Sequence, residues 1–228
     1  MKLIKPRYEI LTHIDAADAL RQIETAGRTC YKSEGRITPK SASEFVQKLI
    51  KNGHEAMLEH YGFSVRFICD RGVTHELVRH RHFSFAQEST RYCNYLNKGM
   101  EFIVPCWMDE GTKELLTSLG EIDMNDPEPR FEDKISQADY GWTYAMGYAE
   151  LIYNNLIYNG WSPQQARTVL PHSLKAEIVV TGNIRQWRHF FKLRTAPDAH
   201  PQMQELAGAL LAELRDFTIP VVFDDIGD

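Results

Sequence analysis

The sequence predicts an α+β fold with an antiparallel sheet flanked by helices, formed as a single domain over residues 1–228. Three observations lead there. Segments of helical period and segments of alternating period follow one another without the regular βαβ succession of a doubly wound fold. No Pro/Gly/Ser-rich linker divides the chain. Its 43% hydrophobic and 25% charged residues are those of an ordinary globular protein, long enough to bury a core without staples.

After a short extended N-terminal piece, Asp15 caps a helix with Ala16, Ala19, Leu20 and Ile23 on one face and Gly27 as its stop. Ala42, Phe45, Val46, Leu49 and Ile50 mark a second helix, which Gly53 closes with the left-handed backbone that glycine tolerates. The period then changes to two. Phe63, Val65, Phe67 and Cys69 alternate along a strand ending near Asp70-Arg71-Gly72. Thr74 to His80 suits a short helix, followed by a loop to about Tyr95, and Glu101 to Val104 reads as a short strand.

Asp123 to Asp133, with two prolines and many charges, is expected to be a mobile surface loop. A long helix follows from Ser136 to Asn159, with Trp142, Met146, Ala149, Ile152 and Leu156 as its inward stripe. Ser162-Pro163-Gln164-Gln165 combines an N-cap, a first-position proline and a capping-box glutamine, so a short helix carries Arg167 and stops by Pro171. Lys175 to Thr181 is a strand. Beyond Gly182, Ile184, Trp187, Phe190 and Phe191 mark a helix ending at Arg194, and Met203 to Leu214 marks the last.

The opening residues lack a signal-peptide apolar run and no stretch approaches membrane-spanning length, so a cytoplasmic protein without membrane contact is expected. Cys30, Cys69, Cys93 and Cys106 show neither CxxC pairing nor dense spacing and read as reduced thiols. A net charge of −5 argues against a general nucleic-acid binder. Positive charge is instead local. Between Phe63 and Tyr92, Arg66, Arg71, Arg79, Arg81 and Arg91 face only Asp70, Glu76 and Glu88.

The run Arg79-His80-Arg81-His82-Phe83-Ser84-Phe85-Ala86-Gln87-Glu88-Ser89-Thr90-Arg91 therefore reads as an anion-handling site, because the guanidinium fork matches phosphate and keeps its charge at neutral pH. No Gly-rich phosphate loop is present, so a nucleotide would be held by side chains, with Arg167 and Arg194 as further candidates. His54-Glu55-Ala56-Met57-Leu58-Glu59-His60 invites a metal reading, but histidines six apart diverge by about two-thirds of a turn on a helix. No metal is expected.

Arg79-His80-Arg81, seven residues, then Ser89-Thr90-Arg91 resembles the signature of the flavin-dependent thymidylate synthases. Supporting matches are Gly53-His54-Glu55, Glu59-His60, Arg167 before Val169-Leu170-Pro171, Asn183, Phe191-Lys192-Leu193-Arg194 and Ala199-His200-Pro201-Gln202. Glu76 and His189 stand where relatives have glutamine and asparagine, and two extra residues lie between Arg194 and Asp198-Ala199-His200.

The resemblance implies a homotetramer with shared active sites, binding FAD and using NADPH, methylenetetrahydrofolate and dUMP to make dTMP and tetrahydrofolate. It implies Arg194 as the uracil-activating residue. Glu76, Leu77, Val78, Arg79, Gln87, Glu88, Ser89, Thr90, Arg91 and Arg167 join Arg194 as dUMP contacts. Cys30, His54, Arg79, His80, Arg81, Gln87, Asn183, Ile184, Arg185 and His189 resemble FAD contacts. The rival reading is a non-catalytic nucleotide- or RNA-binding module using the same arginines, with a metal-dependent hydrolase a distant third.

Overall fold

A computed structural model describes residues 1–96, 98–123 and 131–227. The loop expected over Asp123 to Asp133 falls mostly outside them. In chain order the elements are β1 (Lys2–Ile4), β2 (Arg7–Ile10), α1 (Ala16–Thr29), α2 (Ser41–Lys51), β3 (Gly62–Asp70), α3 (Arg71–Leu77), β4 (Ser84–Gln87), β5 (Glu101–Ile103), α4 (Glu110–Ser118), α5 (Gln137–Tyr158), α6 (Pro163–Ala166), β6 (Lys175–Asn183), α7 (Ile184–Arg194) and α8 (Pro201–Glu213). The architecture is α+β. A four-stranded antiparallel sheet has the order β2-β3-β6-β4. Strands β1 and β5 form a separate pair, which is parallel, with Leu3 opposite Phe102. The sequence assigns no partner to either of these strands; the long intervening chain permits the parallel arrangement that a tight turn would forbid.

Several boundaries differ from expectation for local reasons. Helix α1 does not stop at Gly27 but runs to Thr29, and Gly27 is instead a packing position, where a Cβ would lie 2.7 Å from the Phe45 ring. Gly53 does close α2, at φ +70°. The helix expected over Thr74 to His80 begins three residues earlier, because the Asp70 carboxylate accepts from the Val73 N–H and caps it, and it ends at Leu77. Arg79 and His80 therefore lie beyond the helix. The loop expected after His80 contains β4. Helix α4 was not anticipated; it starts where the Asp109 carboxylate accepts from the Thr112 N–H at 2.9 Å. In α5 only Met146 of the expected stripe is fully buried, while Trp142, Ala149, Ile152 and Leu156 are half-buried.

The chain forms two compact units: residues 1–7, 67–79 and 86–178, and residues 8–66, 80–85 and 179–228. The first has a core of Leu3, Met100, Phe102, Val104, Leu116, Met146, Tyr153 and Leu174. The second is built around aromatic rings. Phe63 stacks on Trp187 at 5.0 Å, and Phe190, Phe191 and Phe223 complete the cluster. The boundary falls inside the basic motif: Arg79 belongs to the first unit, His80 and Arg81 to the second. Among the described residues no helix is long and apolar enough to cross a membrane.

Candidate active site

In the first unit, α3 carries Glu76 and Leu77, and Val78 and Arg79 follow at its end, where the Arg79 N–H donates to the Glu76 carbonyl at 3.2 Å. Leu77 is fully buried, so its side chain serves packing. Strand β4 ends at Gln87, whose amide donates to the Thr74 hydroxyl at 2.9 Å. The chain then turns sharply: the Ser89 carbonyl accepts from the Tyr92 and Cys93 N–H groups, and the Ser89 hydroxyl from the Arg91 N–H. Thr90 is buried within this turn, while Arg91 is exposed.

Arg91 is oriented through its Nε, which donates to Gln164 at 3.1 Å. Gln164 lies on α6, and Arg167 caps the C-terminal end of that helix. The local sequence produces this placement. Proline at the first helical position and the reciprocal Ser162–Gln165 capping box start the helix, so Arg167 falls one turn on. Two exposed arginines from distant segments are thus carried by elements joined through one hydrogen bond, which suits a phosphate.

The second unit gathers most of the residues matched to the flavin. Asn183 caps α7, accepting from Gln186 N–H at 2.9 Å, while Gln186 Oε1 accepts the Asn183 N–H. Gln186 also donates to the His82 carbonyl at 2.8 Å, which fixes the segment after Arg81. Ile184 is buried and its N–H donates to the Tyr61 carbonyl, so it sets the start of the helix. Arg185 is exposed and pairs with Glu59 at 2.5 Å. His54 is exposed just before a 3-10 helix over Glu55–His60. Cys30 is exposed at the C-cap of α1 and belongs to neither cluster among the described contacts.

At the far end of α7, Arg194 Nε donates to His80 Nε2 at 2.9 Å. His80 also meets Phe190 edge-on at 5.1 Å and His189 at 6.3 Å. Burial, with added repulsion from Arg194 and His189, lowers the His80 pKa to about 4. The imidazole is therefore neutral at physiological pH. Accepting at Nε2, it carries its proton on Nδ1.

An open cleft of about 550 Å³ in this unit includes His60, His82, Asn183 and Gln186 in its lining. Its lining also includes Gly62 and Gly182, and a Cβ on Gly62 would stand 2.7 Å from the Gly182 carbonyl. The lining combines this bare backbone with the His60 and His82 imidazoles, the Asn183 and Gln186 amides and the Glu59 carboxylate that pairs with Arg185.

Sequence spacing gives no sign of the groups that brace these residues. Arg188 is buried between Glu55 and Asp225, donating to Glu55 Oε1 at 3.0 Å and to Asp225 Oδ1 at 2.6 Å. Burial raises the Glu55 carboxyl, but Arg188 and Lys192 outweigh it and hold the group below its ordinary range. The carboxylates that invited a metal reading are thus engaged with cations. In the first unit, Tyr95 and Lys175 both reach Glu88. None of these pairs has a sequence spacing that announces it.

Residues 10–220 match the family described as thymidylate synthase complementing protein. The flavin-dependent thymidylate synthase of Corynebacterium aurimucosum is 34% identical over 92% of this chain and 81% of its own length. That of Mycobacterium tuberculosis is 33% identical over 98% of this chain and 85% of its own length. In structure the chain is similar to PolB of Streptomyces cacaoi, a UMP/dUMP methylase bound with 5-Br dUMP, with a TM-score of 0.73 over 98% of this chain and 96% of that one; at 24% identity this shows a shared fold. The family match over residues 10–220 and the identity to these relatives over most of both chains place the chain in the flavin-dependent thymidylate synthase family.

Proposed function

We propose that the chain is a cytoplasmic enzyme that converts dUMP to dTMP by reductive methylation, with methylenetetrahydrofolate as one-carbon donor, and that residues 1–228 act as one functional domain within a homotetramer with shared sites. Reduced FAD, regenerated by NADPH, supplies the hydride. One carbon and two electrons enter, the C5 hydrogen of uracil leaves as a proton, and tetrahydrofolate is released.

The observation that carries this reading is the Arg194–His80 hydrogen bond. Uracil must become electron-rich at C5 before it accepts the one-carbon unit, and a guanidinium at its carbonyl and N3 edge stabilises that charge. A neutral imidazole orients the guanidinium without placing a second cation beside the ring. Arg91 and Arg167 supply phosphate donors, with Ser89 and Thr90 beside them and the backbone of Glu76, Leu77, Val78, Arg79, Gln87 and Glu88 framing the nucleotide. His54, His80, Arg81, Asn183, Arg185 and His189 hold the flavin, with Ile184 fixing the helix start and Cys30 reaching a neighbouring subunit's cofactor.

Arg194→Ala is the test. dTMP formation is expected to fall by roughly a hundredfold or more, as for loss of a transition-state charge contact. Flavin absorbance of the purified protein should persist. Unchanged turnover removes Arg194 from this role, and a protein that takes up no FAD favours the nucleotide-binding module instead.

A further inference from the structure

We infer that Lys175 and Tyr95 are positioning residues that clip the base of the Ser89–Arg91 turn and so set the affinity for the nucleotide; this rests on the proposed dUMP role of that turn. The clip is assembled on Glu88. Its N–H donates to the Glu177 carbonyl at 2.8 Å, which ties the end of β4 to β6. Its Oε1 accepts from the Tyr95 hydroxyl at 2.8 Å and its Oε2 from Lys175 Nζ at 3.4 Å. Tyr95 stands just past the turn, so a single carboxylate joins both ends of the segment that presents Ser89, Thr90 and Arg91. Inside it, Ser89 holds the backbone of Tyr92 and Cys93. Closing so short a segment removes conformations that a loose loop would otherwise have to surrender on binding.

The charges require Lys175 in particular. It also meets Glu177 at 2.8 Å and Glu101 at 3.7 Å, so three carboxylates converge on one ammonium. Glu88 and Lys175 side chains are only 18% and 15% exposed, so water screens the pair weakly. Burial alone would lower the Lys175 pKa, but the carboxylates outweigh it and raise it, keeping the ammonium charged. Burial and then the Glu88 charge raise the Tyr95 phenol, keeping it a donor. Without the ammonium, uncompensated carboxylates would stand at the base of a turn that receives a phosphate.

The test compares Lys175→Met, Lys175→Arg and Tyr95→Phe in the FAD-loaded enzyme, measuring dUMP binding by equilibrium dialysis beside steady-state kinetics. Lys175→Met should raise Kd and KM for dUMP roughly tenfold, the equivalent of about one charge-assisted hydrogen bond, with kcat changed less and FAD content unchanged. Lys175→Arg should restore most of the affinity. Tyr95→Phe keeps the packed ring and should weaken binding about threefold, so it carries the test if the methionine variant fails to fold. Wild-type binding of dUMP with unchanged affinity in the folded variants overturns the clip alone. A wild-type enzyme that binds no dUMP overturns the proposed function and this inference with it.

Discussion

Burial of His80 should make stability depend on pH between about 4 and 6.5, above the range in which most carboxylates titrate. His80 titrates at about 4 when folded, against 6.5 for an ordinary imidazole. Between those values the unfolded chain takes up the proton and the folded chain does not, so stability falls as pH drops through 6.5 and levels off below about 4. The full gap corresponds to at most about 3.4 kcal/mol. His80 is only partly buried, so solvent screening reduces this to about 2 kcal/mol. For a chain of this size that moves the unfolding midpoint by about 4–8 °C.

The comparison is between wild type and His80→Gln, whose amide oxygen accepts from Arg194 at every pH. Thermal unfolding midpoints, measured from about pH 7 down to about pH 4.5, should diverge below the ordinary histidine range, with the wild type losing more. Histidine NMR titration of the wild type reports the group directly. Parallel midpoint curves, or a His80 resonance titrating near 6.5, would mean that folding leaves the imidazole in an ordinary environment and would overturn this prediction.

Two further outcomes follow from packing and charge. Arg188→Met removes the buried cation that Glu55 and Asp225 share; both carboxylates keep solvent access and Glu55 keeps Lys192, so the change should cost about 1–3 kcal/mol in denaturant unfolding. A smaller loss would show that water and Lys192 replace the guanidinium in full. Gly182→Ala places a Cβ 2.1 Å from the Phe83 ring, so either the ring or the β6 end must shift. Overpacking of about 1–3 kcal/mol is expected in the same assay, and a neutral result would show that Phe83 rotates away freely.

What was legible in the sequence is what is encoded locally. Asp15 before α1, Gly53 after α2 and the Ser162–Gln165 box act within a turn of their own position, and the structure places helix ends at each. The spacing of the arginine motif was legible for the same reason. Pairings across the chain were not. Arg194 meets His80 over a separation of 114 residues and Lys175 meets Glu88 over 87, distances at which no periodicity operates. Helix α4 was missed because its apolar residues, Leu115 and Leu116, are adjacent and trace no helical face. The parallel β1–β5 pair was missed because strand direction follows from the path of the chain between them.

Helix α7 shows how partner chemistry separates two arginines on one helix. Arg188 and Arg194 lie six positions apart on the same helix, and composition gives no reason to assign them different tasks. Arg188 is enclosed, and two carboxylates meet its charge and raise its pKa against the opposing effect of burial. Such a group braces the fold, because its charge is spent on the protein. At Arg194 the His80 contact is of another kind: an imidazole held neutral by burial fixes the plane of the guanidinium while adding no negative charge to it. In the proposed role of Arg194, such a partner would orient the guanidinium toward a bound ring without itself adding charge to the contact. On the proposed function, a histidine at the centre of the arginine motif would thus serve by its neutrality beside Arg194 as well as by contact with the flavin.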